Sequence, residues 1–158
     1  MRALITTALL ACTSILFAQT GTEKAIKSQL GQMMLGIENK SFATFSSVFT
    51  EDVVIYGTAP GEAPFETEAA MQNMKGLFET PDFTYTYELK HRDIIVNPGN
   101  KTALVVEQGY HNLLGKNQQA RVVYHFIHQG DEWLVNFYSI AMIPENADLA
   151  RIDKLLEK

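Results

Sequence analysis

The chain has 158 residues, 46% of them hydrophobic, with 13 basic against 18 acidic side chains and a formal net charge of -5. That length and apolar content fit one ordinary domain with a full core, and an acidic balance without any basic cluster argues against a nucleic-acid-binding surface. Cys12 is the only cysteine, which excludes a disulfide framework.

Residues 1–18 read as a bacterial-type secretory signal peptide. Arg2 supplies the positive start, Ala3 to Phe17 is apolar with small polar interruptions, and Leu16-Phe17-Ala18 offers a cleavage site. The mature protein is then a single domain, 19–158, periplasmic or secreted, with no membrane attachment once the signal is removed. Leu9-Leu10-Ala11-Cys12 resembles a lipobox, so a lipoprotein anchored through Cys12 is the alternative.

From Thr22 to Asn39, Ile26, Leu30, Met33, Met34 and Ile37 draw one apolar stripe down a helix. Ser41 caps a short second helix, with Phe42, Phe45, Val48 and Phe49 as its buried edge and Thr50-Glu51-Asp52 as its end. Val53 to Tyr56 is a first strand, and Gly57 to Gly61 a turn. A third helix starts near Thr67, carries Met71, Met74, Leu77 and Phe78 on one side, and stops before Pro81. In the strand from Phe83 to Val96, Phe83, Tyr85, Tyr87 and Leu89 share a face, and a change of period at Lys90 to Arg92 predicts a bulge.

Asn97-Pro98-Gly99-Asn100 turns the chain into a meander of three strands, joined at Gly115-Lys116-Asn117 and at Gly130-Asp131. Asn146 caps a final helix bearing Leu149, Ile152, Leu155 and Leu156. The order predicts an α+β fold, helices laid on one face of a curved antiparallel sheet. The last two strands are apolar on both parities, so a second copy is expected on the sheet's outer face, giving a homodimer.

Three features together resemble the SnoaL-like group of the nuclear transport factor 2-like superfamily. They are the acidic pair before a short strand in SVFTEDVVIYGTAPGE, the helix after that strand, and the ending RVVYHFIHQGDEWLVNFYSIA with Trp133 behind a tight turn. The resemblance covers about Thr22 to Met142. It implies a cone-shaped fold, a sheet wrapped around the helices with a pocket at the wide end, and dimers through the outer face. The branch similar to ketosteroid isomerase needs an aspartate base, a tyrosine and a protonated acid. Gly57, Met33 and Val123 stand at those places, so that chemistry is not matched. A second branch carries a pocket arginine, matched by Arg121, and histidines whose positions fall here on Phe137 to Ser139.

Glu107, His111, Arg121 and His125 are the candidate site, because they share one parity in the meander. With a turn about Lys116, Glu107 faces His125 and His111 faces Arg121. A Glu107–His125 pair in a cleft could act as a general base, and Arg121 could hold an anion bidentately. Tyr56 either lines the pocket or packs in the core. The opposing reading makes the four polar residues a solvated face, with Leu104, Val106, Tyr110, Val122, Tyr124 and Phe126 turned to the helices. His125 and His128 lie three apart on a strand, hence on opposite faces, and nothing has metal-ligand spacing. No phosphate-binding loop or serine elbow occurs. The function that follows is an exported, cofactor-free domain binding a small, partly apolar molecule, with Arg121 able to take an anionic group. The alternatives are a lyase, isomerase or hydratase of the same fold, or a structural dimerisation domain.

Overall fold

The computed structural model describes residues 21–58, 67–99, 101–112 and 118–156. The signal segment with Cys12, and the turn at Gly115-Lys116-Asn117, lie outside the described residues. Ile26, Leu30 and Met33 form the buried side of helix α1, residues 21–38, as their spacing predicts. Helix α2, Phe42–Ser46, is capped by Ser41, whose hydroxyl accepts from the Thr44 amide at 3.2 Å. Gly36 lets the two helices touch, since a Cβ there would collide with the Phe45 backbone.

Strand β1 runs Phe49–Tyr56, four residues longer at its start than the sequence pattern predicts. Phe49 and Thr50 are buried in that strand rather than ending a helix. Helix α3, Thr67–Glu79, begins where Thr67 predicts and buries Ala70 and Phe78. Strands β2 (Tyr87–Val96), β3 (Thr102–His111), β4 (Gln119–Gln129) and β5 (Glu132–Ile143) then follow as an antiparallel meander. Gly130, at φ 61, makes the β4–β5 turn in the left-handed region that favours glycine. A 3-10 turn, Asn146–Asp148, leads into helix α4, Leu149–Leu156.

The sheet order is β1-β5-β4-β3-β2. Strand β1 pairs parallel to β5, so the sheet is mixed where a wholly antiparallel one was expected. The expected bulge in β2 is present between Leu89 and His91. A further one lies in β5, where His125 pairs with Phe137 but Phe126 with Val135. Helices α1, α2 and α3 cover one face of the sheet. Val105, Val122, Phe126, Val135 and Trp133 meet Ile26, Leu30, Phe45 and Phe78 there in one core. Burying each large apolar side chain contributes about 1.5–3 kcal/mol, so this layer contact holds the helices on the sheet.

Candidate functional site

The core does not close completely. Between α1, α3 and the inner face of β3, β4 and β5 lies a cavity of about 350 Å³. Its walls are mostly apolar and aromatic, among them Met33, Phe45, Phe49, Met74, Phe78 and Ile140. Its polar lining is Tyr85, His111, Tyr124 and Tyr138 on the sheet side, Asn73 from α3, and Thr58 just after β1.

The register of β3 against β4 decides which residues reach this cavity. Glu107 pairs with Val122, and Gln108 with Arg121, where a turn about Lys116 would have paired Glu107 with His125. The difference is an odd number of residues, and an odd slip sends the two sets of side chains to opposite faces. Glu107 and His111 therefore point inward, with Ala120, Val122, Tyr124 and Phe126 beside them; they are 1% and 3% exposed. Arg121 and His125 point outward. Arg121 is exposed, and His125 Nδ1 donates to Asn136 Oδ1 at 2.6 Å.

The expected cluster of four is thus split, the pairs Glu107–His125 and His111–Arg121 do not form, and Arg121 is not a cavity arginine. Tyr56 also lies away from the cavity: Ile55 lines it, while Tyr56 packs on Phe137 with ring centroids 5.7 Å apart.

The partner of Glu107 is Arg92, unanticipated from the sequence. Arg92 Nε donates to Glu107 Oε1 at 2.5 Å, and a terminal nitrogen of the same guanidinium lies 2.5 Å from that oxygen in an ion pair. Finding it requires the β2 bulge, which sets Arg92 opposite Glu107. The Tyr87 hydroxyl is buried close to this carboxylate but makes no well-aligned hydrogen bond among the described residues. Its ring stacks on His111 at 4.2 Å. Gly109 makes that stack possible, since a Cβ there would strike the Tyr87 ring and the Glu88 carbonyl.

His111 Nδ1 lies 2.6 Å from the Tyr85 hydroxyl. Burial pushes the His111 pKa down to about 4, so the ring is neutral at pH 7. Burial also pushes the Tyr85, Tyr87, Tyr124 and Tyr138 hydroxyls well above the usual phenol range, with the fields of neighbouring tyrosines and Glu107 adding to it. All four stay protonated. If Tyr85 donates to Nδ1, its own proton is used and the imidazole proton sits on Nε2, the arrangement that orphans fewest groups. His111 Nε2 is buried without a partner among the described residues.

Tyr85, Tyr87, Tyr124 and Tyr138 are the site residues that sequence reading left unassigned. The shared face of Phe83, Tyr85 and Tyr87 was the available signal for two of them. Among the described residues, no group of three or more His, Cys, Asp or Glu side chains is placed to hold a metal ion.

Helices wrapped by a curved five-stranded sheet, with a pocket held between them, define a cone-shaped α+β protein. The chain belongs to the SnoaL-like domain family, whose family model matches residues 26–143. Solved structures agree on the fold. One is an NTF2-like protein of unknown function from Pseudomonas putida, with a TM-score of 0.67 and 13% identity, covering 80% of this chain and 90% of that one. Another is a domain with a cystatin-like fold from Nostoc punctiforme, with a TM-score of 0.66, 15% identity and 85% coverage of both chains. A third is described as a putative scytalone dehydratase, from Novosphingobium aromaticivorans, with a TM-score of 0.62 and 12% identity, covering 82% and 89%. No curated protein matches the chain.

Proposed function

We propose that this domain binds a small, largely apolar molecule in the cavity between its helices and the inner face of the sheet. The cavity itself carries the reading: about 350 Å³, mostly apolar walls, and a few polar groups set among them. That volume sits at the low end of the ~300–1,000 Å³ usual for ligand sites. The test is thermal unfolding with a panel of small cyclic compounds, on the parent and on Ala70→Leu. Ala70 is buried and lines the cavity, so the larger side chain fills the space. A ligand at a hundred times its Kd stabilises the parent by about 2.7 kcal/mol, and Ala70→Leu loses that gain. Equal stabilisation of both proteins would count against the cavity.

A second reading is a cofactor-free lyase, isomerase or hydratase. The Tyr85–His111 hydrogen bond in the cavity wall favours it, since a neutral imidazole held by a phenol can take up and return a proton. The likeness to a putative scytalone dehydratase, at 12% identity, bears on fold and lends only analogy to the chemistry. Following a bound compound by NMR in deuterated water, with Tyr85→Phe as control, distinguishes turnover from simple binding.

Export by residues 1–18 and a homodimer through the outer face of β3–β5 complete the proposal. Val106, Val123, Ile127 and Phe137 are only half-buried on that face, which motivates the dimer. N-terminal sequencing of the exported protein and sedimentation at micromolar concentration test the two points; an uncut leader or a monomer would remove them.

A further inference from the structure

We infer that Asn112 is a positioning residue for the Tyr85–His111 pair: its side-chain amide holds in place the stretch of chain that carries Tyr85. The inference deepens the second reading above and rests on that pair, whose hydroxyl and Nδ1 lie 2.6 Å apart. Strand β2 begins only at Tyr87, so Thr84, Tyr85 and Thr86 lie ahead of the sheet's ladder. Phe83, before them, stacks on Phe78 of α3, and its amide donates to the Thr80 carbonyl. Tyr87, after them, stacks on His111. Asn112 holds the stretch between. Its backbone amide donates to the Thr86 carbonyl at 3.2 Å, its Nδ2 donates to the Thr84 carbonyl at 2.9 Å, and its Oδ1 accepts from the Thr86 amide at 2.8 Å.

A side-chain amide carries a donor and an acceptor side by side, so Asn112 grips the peptide groups on both sides of Tyr85 at once. Thr84 and Thr86 are exposed, while Tyr85 between them is half-buried. Without the clamp, the two exposed peptide groups bond to water instead, and the Tyr85 backbone is free to leave the sheet. Asn112 directly follows His111 in the chain. One two-residue unit therefore holds Tyr85 at both ends: the imidazole meets the hydroxyl, and the next side chain takes the backbone. A hydrogen bond that is to pass a proton tolerates little misplacement, and supports on the donor's own backbone aim it in advance. Asn112 itself is exposed and stands outside the cavity wall, so it acts through Tyr85.

The readout is the His111 Nδ1 resonance in long-range nitrogen–proton NMR at pH 7, with no ligand present. An imidazole nitrogen that accepts a hydrogen bond resonates apart from one that does not, and Tyr85→Phe fixes the position of the unbonded state. Asn112→Ala moves the resonance most of the way to that position. Asn112→Asp keeps the acceptor for the Thr86 amide but loses the donor to Thr84, so it moves the resonance part of the way; it also serves where the alanine variant folds poorly. The double variant Asn112→Ala/Tyr85→Phe coincides with Tyr85→Phe, because a residue that acts only through the phenol adds nothing once the hydroxyl is gone. A merely structural role would lower stability and leave the resonance in place. An Nδ1 resonance unmoved in both Asn112 variants overturns the inference and leaves the Tyr85–His111 pair standing. A double variant shifted beyond Tyr85→Phe overturns it too, since Asn112 would then act on His111 directly. If Tyr85→Phe leaves the parent's resonance unmoved, the pair itself is absent, and the second reading falls with the inference.

Discussion

The two faces of the β3–β4 hairpin carry the same kinds of side chain in opposite surroundings. Inside, Glu107 and His111 are sealed against Arg92, Tyr85 and Tyr87. Outside, Arg121 is exposed and His125 bonds to Asn136. The acid and the histidine of the inner face are buried among partners; the arginine and the histidine of the outer face meet solvent. What separates them is one pairing choice, because an odd slip of register would exchange faces along a whole strand. Residue type therefore says less about a site here than the parity of the hairpin that displays it.

The comparison is broken most directly by removing Arg92. Arg92→Ala strands the Glu107 carboxylate in the core, and such a loss costs about 3–5 kcal/mol in urea unfolding. Glu107→Ala costs less, because the Arg92 side chain is 27% exposed and can swing into water. A cost for Arg92→Ala no larger than that of a surface substitution would show the pair to be solvated.

Acid provides the next test. His111 has a folded pKa of about 4 against an ordinary 6.5, so the unfolded chain binds the proton more readily. The stability that neutral His111 contributes is fully present above pH 6.5 and is lost as the pH falls towards 4. The slope from this one group approaches roughly 1.4 kcal/mol per pH unit. Urea midpoints measured across that window for the parent and His111→Gln should differ in slope, the variant being flatter.

Gly109→Ala sharpens the comparison at smaller cost. The added methyl meets the Tyr87 ring and the Glu88 carbonyl, and overpacking of this kind costs about 1–3 kcal/mol. It should also shift the aromatic resonances of Tyr87 and His111, which a loss confined to the strand edge would leave in place. Smallest of all is Arg121→Ala, whose midpoint should stay within about 0.5 kcal/mol of the parent.

Much of the fold was legible. The stripe of α1, the Ser41 cap, the start of α3 at Thr67, the β2 bulge and the Gly130 turn all follow from local pattern. Phe49 and Thr50 were misassigned because an aromatic beside a helix end reads equally as helix edge or buried strand. The inward face of β4 was readable too, since Val122, Tyr124 and Phe126 are more apolar than Arg121, Val123 and His125.

Strand β3 offered no such contrast. Its inner set of Ala103, Val105, Glu107 and His111 carries two ionisable groups against an outer set of Leu104, Val106, Gln108 and Tyr110, so hydrophobicity pointed the wrong way. The acid is tolerated inside only because Arg92 reaches it from β2, a long-range pairing that depends on the register around a bulge. Local pattern cannot supply that register.

The central claim is that the register seals His111 inside the cavity wall as a neutral ring, held by Tyr85. Long-range nitrogen–proton NMR of the histidine side chains, followed from pH 8 downwards, reads this state atom by atom. The account predicts that His111 keeps the pattern of a neutral ring protonated at Nε2 until about pH 4. Protonation of His111 near its ordinary 6.5 would contradict it.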